Sequence, residues 1–180
     1  MTYIFIFITF LWLLEFVLFP SLAKDNRSNK RSFATILISI LAIIIINAIM
    51  FFNDLLLVDS DALKVISLIL YSSGLILRYW SLILLGKNFS RKVEVEDEQE
   101  LVSKGTYRYI RHPLYLGLFL LTISVPLLVG NIIMFLIAIV VMFVSISIRI
   151  KEEEAYMEEV LGSRYKFWKE ERYKFLPFIY

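Results

Sequence analysis

The sequence predicts an all-α integral membrane protein: about five transmembrane helices followed by a short cytoplasmic interfacial helix. Three observations carry this. Hydrophobic residues make up 59% of the 180 and the mean hydropathy is +0.72, more apolar than a soluble domain of this size. The apolar residues gather in runs close to the roughly 20 residues that a bilayer core demands. The charged residues gather between those runs and at the C-terminal end.

The five runs are Tyr3 to Leu22, Phe33 to Phe52, Ala62 to Leu85, Leu114 to Val129 and Ile132 to Ile148. No Lys or Arg stands before the first run, so it reads as a retained span rather than a leader. The fourth run is short and holds Pro126. The turn Val129-Gly130-Asn131 joins it to the fifth as a tight helical hairpin. From Glu152 to Lys169 the chain again reads as helix. Tyr156, Met157, Val160, Leu161, Tyr165 and Trp168 share one face, as expected of a helix lying at the interface. The terminal Phe175-Leu176-Pro177-Phe178-Ile179-Tyr180 suits the headgroup region. Val93 to Glu96 alternates like a short strand or turn, and Asp97 to Glu100 reads as an acidic turn. The chain is expected to form a single membrane domain, 1–180, with three spans over 1–85 and a functional half over 86–180.

Loop charge sets the topology. The first loop holds Lys24, Arg27, Lys30 and Arg31 against Asp25, and the second holds Asp54, Asp59 and Asp61. The third is mixed in sign but rich in cations, and the tail after Arg149 is highly charged. First loop, third loop and tail are therefore expected in the cytoplasm, with the N-terminus outside. Glu15 and Arg78 lie inside the first and third spans, each nine residues before a loop lysine (Lys24 and Lys87), and so at similar depth. Charges in a bilayer are expensive and usually paired, which predicts a Glu15–Arg78 contact.

Composition also excludes function classes. A net charge of +2 without a basic stripe argues against nucleic-acid binding. The count of Cys is 0 and of His 1, which rules out thiolate or His-rich metal sites, disulfides and a cysteine nucleophile. The six glycines form neither a G-x-G-x-x-G nor a phosphate-binding loop. No obligate protein partner is evident.

Two clusters remain that lipid does not explain. The first is Tyr107, Arg111, His112, Pro113, Tyr115 and Gly117. A residue before proline leaves the helical region and proline suits the first helical position, so His112 is a cap and the helix begins at Pro113. The free N–H groups of that first turn favour an anion, and Gly117, about one turn in, permits close approach of a ligand. The second cluster is Arg149 with Glu153 and Glu154. Arg149 and Glu153 are four apart and share a helix face, with Glu154 beside it. A carboxylate there suits an ammonium or ribose hydroxyls, and Arg149 suits an anionic substrate. Interfacial snorkelling and a solvated i,i+4 pair are the plain alternatives for each residue taken singly.

Leu85-Gly86-Lys87-Asn88-Phe89-Ser90, Leu101 to Tyr107, Arg111 to Gly117, Arg149, Glu153-Glu154, Leu161-Gly162, Tyr165 and Phe175-Leu176-Pro177 together resemble the isoprenylcysteine carboxyl methyltransferase family over roughly the C-terminal half. The resemblance implies a membrane methyltransferase that uses S-adenosylmethionine on a lipophilic substrate drawn from the bilayer. It implies Tyr107, Arg111, His112, Tyr115, Gly117 and Glu154 as cofactor-binding residues, and Arg149 and Glu153 as catalytic ones. Which glutamate meets the cofactor stays open, as does a prenylated protein against a small lipid as substrate. O-methylation of a phenolic or enolic lipid, a membrane NADPH-dependent reductase and a non-catalytic membrane protein are the competing classes.

Overall fold

The computed structural model describes residues 2–18, 30–86 and 101–176. Six α-helices appear in it: α1 (Thr2–Leu18), α2 (Lys30–Phe52), α3 (Asp61–Leu85), α4 (Pro113–Leu128), α5 (Ile132–Leu161) and α6 (Ser163–Glu170). A 3-10 turn, Gly105–Arg108, precedes α4. Three helices are long and apolar enough to cross a membrane, Ser32–Phe52, Asp61–Leu85 and Ile132–Leu161. The apolar stretches Tyr3–Glu15 and Pro113–Leu128 are shorter. The architecture is that of a multi-pass membrane protein. Phe7, Phe10, Ile38, Ile45, Ile76, Ile83, Val140 and Val144 point outward, a surface that only lipid tolerates. Residues 19–22 of the first expected span and the expected Val93–Glu96 and Asp97–Glu100 segments lie outside the described residues.

α3 packs along α4, α4 against α5, α2 against α5 and α1 against α3. Lipid tails are as apolar as leucine, so helices associate here through close packing and hydrogen bonds rather than by escaping water. Gly74 and Gly117 make the closest approach: a Cβ on either would stand 2.8 Å from the other's carbonyl oxygen. Polar side chains tie helices together as well. Ser67 Oγ donates to the Ser124 carbonyl at 2.8 Å across α3 and α4. Ser39 and Ser145 share a 2.8 Å bond across α2 and α5. Thr9 and Tyr71 share one of 2.8 Å across α1 and α3. Glu15 and Arg78 meet as expected, with Arg78 Nε donating to Glu15 Oε2 at 2.7 Å and a second, shorter contact between Arg78 Nη2 and Oε1.

The hairpin turn is as expected and tighter than composition tells. Asn131 caps α5 by accepting from Met134 N at 2.9 Å. Gly130 has φ +77 and its carbonyl accepts from Val58 N at 3.0 Å, so the α2–α3 loop closes over the turn. Two expectations are corrected. α5 runs past Ile148 to Leu161 before a left-handed Gly162 (φ +56) breaks it, so the tail is two helices rather than one. Phe175 packs into the protein rather than facing outward. It is fully buried, 5.8 Å from the rings of both Phe119 and Phe143, because burial against α4 and α5 removes more apolar surface than the interface would. Residues 177–180 lie outside the described residues.

Candidate active site

The two sequence clusters meet at one end of the bundle. His112 is the N-cap of α4, with φ −126 and ψ 58, and Pro113 opens the helix, as the proline rule requires. The tail holds this entry in place. A parallel bridge joins Ile110 to Tyr173. Arg111 N donates to the Tyr173 carbonyl at 2.9 Å, His112 N to the Lys174 carbonyl at 3.1 Å, and Tyr173 N to the Tyr109 carbonyl at 3.0 Å. Arg172 Nε adds a bond to the Tyr107 carbonyl at 3.0 Å and its guanidinium lies 4.7 Å over the Trp168 ring.

Glu154 of α5 receives both Arg111 and His112 of the helix start on one oxygen. Arg111 Nη1 and His112 Nε2 lie 3.0 Å and 3.1 Å from its Oε1. A carboxylate accepts only, so Nε2 of His112 carries the hydrogen in this contact. Glu153 is engaged from the other side. Tyr115 Oη donates to its Oε2 at 2.7 Å and accepts from Arg149 Nε at 3.1 Å. Arg149 Nη1 donates to Ser32 Oγ at 3.1 Å. Arg149 is 2% exposed, so this is a buried cation held by hydrogen bonds, not a snorkelling side chain. Each glutamate thus commits one oxygen to the scaffold, and its other oxygen takes none of these contacts.

Around this core lie buried donors and acceptors. Arg111 Nε, Glu152 Oε2 and the Tyr165 hydroxyl are buried without a hydrogen-bond partner among the described residues. Buried polar groups are nearly always satisfied, so such a group marks a place where a ligand, water or another segment of chain belongs. Burial pushes the Tyr107 hydroxyl's pKa well above the usual tyrosine range, and the Glu153 charge adds to it. Burial does the same to Tyr165, with Glu154 adding. Both phenols therefore stay protonated near neutrality, available as hydrogen-bond donors rather than as bases.

Arg111, His112 and Glu154 form one set of contacts and Tyr115, Arg149 and Glu153 another beside it, with the His112 and Tyr115 rings 5.8 Å apart and Tyr107 buried nearby. Gly117 is the departure. A Cβ there would meet Arg78 Cγ at 2.5 Å and the Gly74 carbonyl oxygen at 2.8 Å. On the side where a Cβ would project, Gly117 thus admits α3. Ser32 was not legible as a neighbour of Arg149: a serine in a first helical turn looks ordinary in sequence.

The sequence model of the isoprenylcysteine carboxyl methyltransferase (ICMT) family matches residues 65–159. The chain is similar to a protein-S-isoprenylcysteine O-methyltransferase of Schizosaccharomyces pombe, 32% identical over 108 residues, which are 59% of this chain and 46% of that protein. It is likewise similar to the Xenopus laevis protein of the same description, 34% identical over 119 residues, 65% of this chain and 41% of that one. The chain thus spans less than half the length of these curated relatives. In solved structures its fold resembles that of the eukaryotic intramembrane Ras methyltransferase ICMT, with a TM-score of 0.68 at 21% identity, covering 97% of this chain and 63% of that chain. That likeness speaks for the fold, and the matched stretch, which runs through both clusters, speaks for the family: this chain belongs to the isoprenylcysteine carboxyl methyltransferase family.

Proposed function

We propose that the chain is an S-adenosylmethionine-dependent methyltransferase that esterifies the carboxylate of a lipophilic, prenylcysteine-like substrate at the membrane interface, with its site on the cytoplasmic side. Family membership supports the reaction class. The observation that carries the assignment of roles is the adjacency of two charge systems, Glu154–Arg111–His112 and Arg149–Tyr115–Glu153, at one mouth of the bundle.

The residues fit the cofactor. Its α-amino acid end needs an anion for the ammonium and donors for the carboxylate. The uncommitted oxygen of Glu154 suits the first, and Arg111 Nε with the Tyr165 hydroxyl suits the second. When bound, S-adenosylmethionine supplies a methyl group on a sulfonium, open to in-line displacement. Everything else falls to the chain. A carboxylate acceptor is ionised at neutral pH, so no residue need remove a proton. Placement is the main task, and aligned placement alone is worth many orders of magnitude in rate.

Arg149 presents a cation to that acceptor. Its attraction is strongest before transfer and fades as the carboxylate becomes a neutral ester, so by differential binding it captures and aligns rather than stabilising the transition state. The Tyr115 hydroxyl and the Glu153 charge, 3.9 Å from Nε, temper that hold. His112 is a cofactor-side residue and helix cap here, since Nε2 is committed to Glu154 and its backbone to Lys174. An anion and a cation combining into neutral products also gain from the low-dielectric surroundings of a membrane site.

The test is purified protein in lipid nanodiscs with methyl-labelled S-adenosylmethionine and two acceptors, an S-prenylated N-acylcysteine and a phenolic lipid. The expected result is base-labile label in the first only, with turnover level between about pH 6 and 8 because a carboxylate acceptor needs no base. Label in the phenol alone, or none in either, would overturn the reading.

A further inference from the structure

Arg149 is the most buried large cation of the site, and its guanidinium is held at two different nitrogens. Tyr115 on α4 takes Nε at 3.1 Å, and Ser32 on α2 takes Nη1 at 3.1 Å. Ser32 is 1% exposed and Arg149 2%, so neither bond competes with bulk water. One bond to a guanidinium leaves its plane free to swing about the other torsions. Two bonds at separate nitrogens define the plane, and a defined plane is what fork-like recognition of a carboxylate requires.

The sequence of α2 explains why Ser32 arrives there. Ser32, Ile36, Ser39 and Ile43 recur at i, i+4, i+7 and i+11 and so share one face. Ile36 and Ile43 are buried in the core formed with α4 and α5. Ser39 pairs with Ser145, one turn before Arg149 on α5. The same register that seats the two isoleucines brings the first turn of α2 against the Arg149 side chain.

We infer that Ser32 is a positioning residue for Arg149, so that α2, which lies wholly outside the family-matched stretch 65–159, completes the acceptor side of the site. This rests on the reading of Arg149 as the acceptor's anchor. Ser32 touches no reacting atom. It orients a residue that does.

The experiment measures acceptor KM and S-adenosylhomocysteine affinity for wild type, Ser32→Ala, Ser32→Thr and Ser39→Ala in nanodiscs, with direct binding of the prenylcysteine carboxylate alongside. Ser32→Ala should raise the acceptor KM and weaken carboxylate binding about tenfold, the scale of one hydrogen bond to a charged group, with cofactor-product affinity unchanged. Ser32→Thr should restore both. Ser39→Ala removes an α2–α5 bond of similar length without touching Arg149, and should leave acceptor KM as in wild type. If Ser32→Ala folds poorly, Ser32→Val against Ser32→Thr isolates the hydroxyl at constant shape. Wild-type KM in Ser32→Ala, or an equal rise in Ser39→Ala, overturns the inference and leaves methyl transfer standing. A wild type that neither transfers methyl to the carboxylate nor binds it overturns both.

Discussion

Arg149 and Glu153 stand one turn apart on α5, yet they do not pair as a solvated i,i+4 couple. Nε and Oε2 are 3.9 Å apart, and the Tyr115 hydroxyl from α4 links them, taking the arginine N–H at 3.1 Å and donating to the carboxylate at 2.7 Å. One phenol therefore connects Arg149 to Glu153. Tyr115→Phe keeps the ring and removes the link. It should lower kcat/KM about 10- to 100-fold, the scale of one or two lost hydrogen bonds to charged groups, while the protein stays folded. Wild-type kinetics in Tyr115→Phe would show that the link does not matter for turnover.

Glu154 gathers Arg111 and His112 on a single oxygen. Glu154→Gln keeps the shape and removes the charge. It should weaken S-adenosylhomocysteine binding at least about tenfold by calorimetry, because the ligand ammonium loses its anion and Arg111 and His112 lose their charged acceptor. Unchanged affinity in a folded Glu154→Gln protein would move the ammonium site elsewhere, with Glu153 the next candidate.

The Glu15–Arg78 pair is structural. Glu15 is fully buried, and Arg78 also donates from Nη1 to the Leu114 carbonyl at 3.1 Å, one residue into the site helix. Removing one partner of a buried pair strands the other, at a cost of about 3–5 kcal/mol. Glu15→Gln and Arg78→Gln should each lower the thermal midpoint in detergent, and the double variant should lower it by less than the sum. Additive losses would mean that the two side chains do not depend on each other.

Two glycines should rank by the space around them. Gly130→Ala puts a Cβ 2.0 Å from the Val58 carbonyl oxygen at φ +77, against backbone on both counts. Gly117→Ala puts one 2.5 Å from Arg78 Cγ and 2.8 Å from the Gly74 carbonyl oxygen, where helices α3 and α4 can part slightly. Overpacking costs about 1–3 kcal/mol, so both should destabilise, Gly130→Ala more. Because Gly117 serves helix packing, loss of activity in Gly117→Ala should follow loss of folded protein. A stable but inactive Gly117→Ala would return this glycine to the ligand site.

Much of this was readable along the chain. Hydropathy placed the apolar runs, the His-Pro step placed the start of α4, and equal depth paired Glu15 with Arg78, because those signals are local or depend on a single coordinate, the distance along the membrane normal. Gly117 is the opposite case. A missing side chain announces close approach but not by what, and only the crossing of α3 and α4 decides that a helix fills the gap. Phe175 was misread because an apolar residue at a chain end suits lipid, interface and core equally until a groove between α4 and α5 exists to bury it.

Hydropathy and charge along the chain were enough to specify an all-helical membrane protein, where its helical hairpin turns, and that histidine, arginine and glutamates gather near helix ends, since lipid imposes length and hydropathy with few alternatives. How those groups share their hydrogen bonds was fixed by the packing of the helices. That Tyr115 links Arg149 to Glu153, that Glu154 holds Arg111 and His112 on one oxygen, and that Ser32 reaches Arg149 from α2 depends on the rotation of each helix about its axis. Close packing of small residues and short polar contacts between neighbours sets that rotation, and no one helix encodes it alone.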